Sequence, residues 1–202
     1  MKFSAFTSFV TIFLVAYVLF LSSAFRSRTA PQEKQSPATV KTIKQGSAAV
    51  KNARDFFYWY RDNLVKANSF PLLAKDPNGY YRLDTLACNN YLAFLKSSEL
   101  LSNEYFHYQR VFFADAAGRI TADTLKDQIP EGFDMDFVLL TQEPDLLLNK
   151  IDSLHFKVLS MNETVSLIRV TLPSDPSVDY ELEMYKNRYS WRIGYISTPN
   201  YD

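Results

Sequence analysis

The hydrophobic period of this chain changes once, and that change limits the folds open to it. Val50, Ala53, Phe57, Tyr60 and Leu64 follow one another at spacings of 3, 4, 3 and 4. Such residues share one face of a helix. From residue 150 onward the period is 2: Leu154, Phe156 and Val158 alternate with His155, Lys157 and Leu159. Helices first and strands afterwards predict an α+β domain, helices segregated from an antiparallel sheet.

The helical half divides at its breakers. Ser47 is a good N-cap for a first helix, with Phe56 and Trp59 widening its apolar face. Phe70-Pro71 cannot continue it, so the helix should end near Asn68. Asp76-Pro77-Asn78-Gly79 is a turn. A second helix is expected from about Asp84 to Lys96, with Ala87, Tyr91, Phe94 and Leu95 inward. A third is expected from Ser98, burying Leu101, Tyr105, Tyr108 and Phe112, with Gly118 as its C-terminal cap.

Four strands are expected in the second half. The first holds Leu154, Phe156 and Val158, and the second is a central strand over Thr164–Leu172. Tyr180, Leu182 and Met184 face inward from the third, Trp191, Ile193 and Tyr195 from the fourth. Pro173–Ser177 and Asn187–Ser190 connect them. Short connections make this an antiparallel meander with one face buried.

Before the domain comes a leader. Phe3 to Phe25 is a stretch of 23 residues without a charge. Val10–Leu21 matches the apolar core of a secretory signal, and Ser22-Ser23-Ala24 offers small residues for cleavage. About 20 apolar residues also suffice to span a bilayer. Residues 1–25 therefore read as a signal peptide or an N-terminal membrane anchor, the latter touching the membrane through residues 3–25. Lys2 with the free amino group balances Arg26 and Arg28, so flanking charge gives little orientation. No Cys follows the apolar run, as a lipoprotein would need, and Cys88 reads as an ordinary half-buried helix residue. Residues 26–46, with two prolines and no apolar period, read as a flexible linker. Residues 47–202 then form the single α+β domain. The expected location is outside the cytoplasm: periplasmic, or anchored to the cytoplasmic membrane facing outward.

Composition narrows the chemistry. Without residues 1–24, 178 residues remain with a net charge of −1. Such a balance gives no basic face for nucleic acid. The five glycines are isolated, so neither GxGxxG nor GxxxxGK[ST] occurs. His107, His155 and the lone Cys88 cannot assemble a Cys- or His-rich zinc site, and one cysteine forbids an internal disulfide. No cofactor and no metal are expected.

The strongest local bias is acidic. Residues 127–149 hold Asp127, Glu131, Asp134, Asp136, Glu143 and Asp145 with no Lys or Arg. Asp134 and Asp136 are oxygen ligands suited to calcium or magnesium, although no EF-hand glycine follows. Paired carboxylates also do acid–base chemistry when one is desolvated. The competing reading is a solvated loop with Asp134 or Asp136 capping a short helix, and Asp145 capping the helix start at Leu146-Leu147-Leu148. His155 lies on the polar face of its strand and His107 between core positions; each is a base only if a nucleophile stands nearby. No GxSxG occurs. Trp59, Tyr60 and Trp191 either line a pocket between helix and sheet or simply build the core.

Three segments together carry a resemblance: the helix Phe56-Phe57-Tyr58-Trp59-Tyr60, the acidic stretch with Asp134, Asp136 and Gln142-Glu143, and the last strand Trp191-Arg192-Ile193 ending at Ile196. Over about residues 50–198 the chain resembles a family of exported bacterial proteins of unknown function. That family is grouped with the cystatin-like roll of the nuclear-transport-factor-like superfamily. The resemblance implies a long N-terminal helix across a curved four-stranded antiparallel sheet, with a concavity between them. It supplies no catalytic set, and the scaffold does not select a function.

The expected function is therefore an exported, non-catalytic binding or interaction module. Its pocket candidates are Trp59, Tyr60, Asp134, Asp136, Gln142 and Trp191; its partner is a small molecule or a protein. The alternative is an enzyme on the same scaffold, using Asp134, Asp136 or His155 as acid–base or metal-binding groups. A third reading is a homodimer through an apolar outer face of the sheet.

Overall fold

The computed structural model of the chain describes residues 37–123 and 126–199. The leader 1–25 and the first part of the expected linker, 26–36, lie outside the described residues.

The order is α1 (Pro37–Ala67), β1 (Leu73–Lys75), β2 (Tyr81–Leu83), α2 (Thr85–Lys96), α3 (Asn103–Asp123), α4 (Pro144–Leu148), a 3-10 turn (Ile151–Ser153), β3 (His155–Met161), β4 (Val165–Leu172), β5 (Asp175–Lys186) and β6 (Trp191–Ser197). β1 and β2 form a small hairpin around the Asp76–Gly79 turn, where Gly79 takes φ +84° and the Asp76 carboxylate accepts from the amides of Asn78 and Tyr80. β3 to β6 form an open antiparallel sheet in sequence order, the expected meander.

The core lies between the helices and one face of that sheet. Ala49, Ala53, Phe56, Phe57, Tyr60 and Leu64 are buried along α1, and Ile168, Val170, Leu182, Met184, Trp191 and Ile193 are buried on the strands. Phe57 meets Phe156 of β3 edge-on at 5.8 Å. Asn52 donates to the Trp191 carbonyl at 2.8 Å, tying α1 to the start of β6. Asp84 caps α2, its carboxylate accepting from the Ala87 amide.

Four expectations need correction. First, residues 37–46, read as linker, are the opening turns of α1, so Ser47 is interior rather than a cap. Pro37 is tolerated in a first turn, and no residue before Gly46 breaks the helix.

Second, α3 starts at Asn103 rather than Ser98. Residues 100–102 instead run beside β6: Ile193 donates to the Leu100 carbonyl and Ser102 to the Ile193 carbonyl, each at 2.9 Å. Leu101 is buried by that pairing. On α3 the buried face is Tyr105, Phe106, Phe113, Ala116 and Ile120, so Tyr105 is inward as expected while Tyr108 turns outward and Gly118 lies within the helix.

Third, the inward run of β6 shifts phase. Met184 pairs with Ile193 but Glu183 pairs with Tyr195, which leaves Gly194 as the extra residue of a bulge. Ile196 is therefore buried and Tyr195 is exposed.

Fourth, β5 begins at Asp175, so most of the expected Pro173–Ser177 loop is strand.

Candidate functional site

The acidic stretch folds into a tight loop around one carboxylate. Asp136 is 7 % exposed. Its Oδ1 accepts from the amides of Val138 and Leu139 at 2.9 and 2.7 Å, and its Oδ2 accepts from the Tyr60 hydroxyl at 2.5 Å. Its own amide donates to the Thr141 carbonyl, and its carbonyl accepts from the Leu140 amide. Tyr180 of β5 donates to the Leu139 carbonyl at 2.8 Å. An Asp side chain that closes a turn on its own backbone is favoured for that purpose. Here the turn is also bolted to α1 and to the sheet.

Burial raises the Asp136 carboxyl above its ordinary value, against the opposing pull of Tyr60 and the two amides. Burial likewise raises the phenols of Tyr60, Tyr91 and Tyr105, each of which also feels the Asp136 charge. The site is thus a low-dielectric pocket holding one carboxyl among three phenols.

Asp134 goes elsewhere. It is exposed and accepts from the Gln142 side chain at 2.8 Å. The two aspartates therefore form no carboxylate pair, and neither caps α4: Asp136 is a buried turn acceptor and Asp134 a surface charge. Asp145 does not cap α4; Glu143 holds that position without a side-chain bond, and Pro144 and Asp145 sit in the first turn. Among the described residues, no group of three or more His, Cys, Asp and Glu could hold a metal ion.

Two open grooves touch this loop. One, of about 680 Å³, runs between the loop, α4 and the adjoining ends of β4 and β5, past Leu140, Leu146, Leu172 and Tyr180, with Gln142 and Lys150 at its border. The other, of about 460 Å³, lies between the loop and residues 67–73, and Asp134, Asp136, Gln142 and Tyr91 line it. Gln142 and Met135 belong to both. Leu140 stands at the first groove with φ +51°, a left-handed conformation that is uncommon for a residue other than glycine. It is 38 % exposed and Leu146 is 56 % exposed.

Of the six pocket candidates, Asp134, Asp136 and Gln142 come together at the loop. Trp59, Tyr60 and Trp191 do not line a cavity between helix and sheet. Tyr60 and Trp191 are buried core, and Trp59 stacks on Phe56 and lies against Phe94. That interior is filled by side chains. His107 and His155 are exposed, and neither lines either of these two grooves.

Leu140, Leu146 and Lys150 were missed by sequence reasoning. For Leu146 a signal existed. Three successive leucines on a short helix step by about 100° each, so one must face away from the core. Leu147 and Leu148 are buried, and Leu146 is the one left out. The left-handed Leu140 had no such signal.

Among the described residues, no helix is long and apolar enough to cross a membrane. No family model, no curated protein and no solved structure matches the chain.

Proposed function

We propose that this protein is an exported binding module whose ligand seat is the groove beside the Asp136 loop. The observation that carries this reading is Leu140. It is an apolar side chain held outward at a groove, in a backbone conformation that costs about 1–2 kcal/mol. Strain of this kind, fixed by the surrounding hydrogen bonds, clusters at ligand-binding and active sites. Leu140 and Leu146 supply apolar contact, and Gln142 and Lys150 supply polar ends. That combination suits a ligand with an apolar body and a polar terminus, either a small molecule or a peptide side chain.

The uncharged leader supports export, with the domain released outside the cytoplasm or held at the membrane by residues 3–25. The cystatin-like roll, with a long first helix across a curved sheet, is the scaffold we assign. The enzymatic alternative draws on the raised Asp136 carboxyl. Against it, both Asp136 oxygens are engaged by loop amides and Tyr60.

The test is a titration of the full chain with the dye 1-anilinonaphthalene-8-sulfonate, read by fluorescence and by leucine methyl resonances. The reading expects saturable binding that shifts Leu140 and Leu146 and is lost in Leu146→Glu. Binding unaffected by Leu146→Glu refutes the groove as the seat.

A further inference from the structure

A second surface, away from the groove, is built by the β6 bulge. Gly194 has no side chain, and a Cβ there would lie 2.2 and 2.4 Å from Cδ2 and Cε2 of Tyr185. The Tyr185 ring therefore occupies the space above residue 194. The same bulge turns Tyr195 outward, where its ring meets Tyr108 of α3 at 5.3 Å. Tyr108, Tyr195 and Val111 are each 46 % exposed.

Carboxylates border these rings. Glu183 is the direct cross-strand partner of Tyr195, and Glu104 lies one turn before Tyr108 on α3. Glu183, Glu104 and Tyr108 all act on the Tyr185 phenol, and burial is the first cause that raises it. Arg192 stands across from Tyr185 at the end of the patch, and Arg169, further along the same sheet, is held by Asp179 through two hydrogen bonds.

Exposed tyrosines are the residues that anchor protein interfaces, because they bury large area at low entropic cost. Acids beside the rings select a cation. Arginine answers both features, since its planar guanidinium stacks on a ring and forks onto a carboxylate at once. A second copy of this chain fits less well. In a two-fold contact centred on the patch, the Glu104 and Glu183 carboxylates of both copies would be gathered into one contact. We propose that Tyr108, Tyr185 and Tyr195, with Glu104 and Glu183, form a docking surface for an arginine-bearing segment of a partner protein.

The experiment uses the full chain and a short peptide of alternating arginine and glycine, followed by calorimetry and tyrosine ring resonances. The peptide should shift Tyr108 and Tyr195 and bind less tightly as salt rises. Affinity should fall about three- to thirtyfold in Tyr195→Leu, which keeps apolar area but deletes the ring face. It should fall comparably in Glu183→Gln and stay unchanged in Asp145→Asn, an acid outside the patch. The same peptide with citrulline for arginine should not bind. Equal affinity for Tyr195→Leu or Glu183→Gln and the unaltered chain overturns the proposal. So does equal binding of the citrulline peptide, which would mark a neutral ligand. A dimer in sedimentation that Tyr195→Leu dissolves overturns it too, in favour of a contact between copies.

Discussion

Asp136→Ala and Asp136→Asn should separate sharply, because the two changes remove different things. Alanine deletes the acceptor for three donors: the Tyr60 hydroxyl and the amides of Val138 and Leu139. All three residues are buried. Each unsatisfied buried donor costs about 1–3 kcal/mol, so the total is about 3–5 kcal/mol after partial relaxation. At about 2–4 °C per kcal/mol for a domain of this size, the thermal midpoint should fall by about 6–20 °C. Asparagine keeps an oxygen for the two amides and removes a buried charge. Burial holds the Asp136 carboxyl above its ordinary 3.8. The folded chain thus binds that proton more tightly than the unfolded chain does. The stability linked to it is fully present below about 3.8 and is lost as pH rises through the folded value. At neutral pH Asp136→Asn should therefore equal or exceed the unaltered protein, and its advantage should shrink on acidification. Thermal melts followed by circular dichroism from pH 4 to 8 read both effects. Equal losses for Ala and Asn at neutral pH would refute the reasoning, since the charge and not the acceptor would then hold the loop.

Three further outcomes follow from the packing. Gly194→Ala should lower the midpoint by displacing the Tyr185 ring, at a cost of about 1–3 kcal/mol; in a Tyr185→Ala background the same change should be near neutral, and additive losses would show that the ring is not the obstacle. Phe57→Ala should cost about 3–5 kcal/mol, because Phe57 is fully buried against Phe156; an unchanged midpoint would place the wrong face of α1 on the sheet. Cys88 is buried and its thiol is pushed up to about 11, first by that burial. It should therefore react with a disulfide reagent at pH 8 only as fast as the chain opens, and rapid labelling of the folded protein would contradict its burial.

The strands were legible because a half-buried sheet writes its period directly into the sequence. Tyr180, Leu182 and Met184 read as inward and are buried or nearly so. The α1 face was legible for the same reason. What failed was context. Tyr108 fits a helical spacing that begins at Leu101, yet Leu101 is drawn into pairing with β6, so the period starts afresh at Asn103. Tyr195 fits a strict alternation that the Gly194 bulge interrupts. Both errors arise from residues far apart in sequence, which local spacing cannot register. At the site, the acidic stretch stands out in the sequence, but spacing alone does not tell Asp134 from Asp136. Their fates differ because Tyr60, 76 residues earlier, reaches one of them and not the other.

The central claim is that the groove at Leu140 and Leu146 holds a ligand. A native mass spectrum of the protein purified from its own host tests it most directly, run beside the Leu140→Gly, Leu146→Glu double variant. Glycine relieves the left-handed strain at 140, so the variant should remain folded. The account expects a discrete added mass on the unaltered protein that is missing from the variant. The same added mass on both, or none on either, would contradict it.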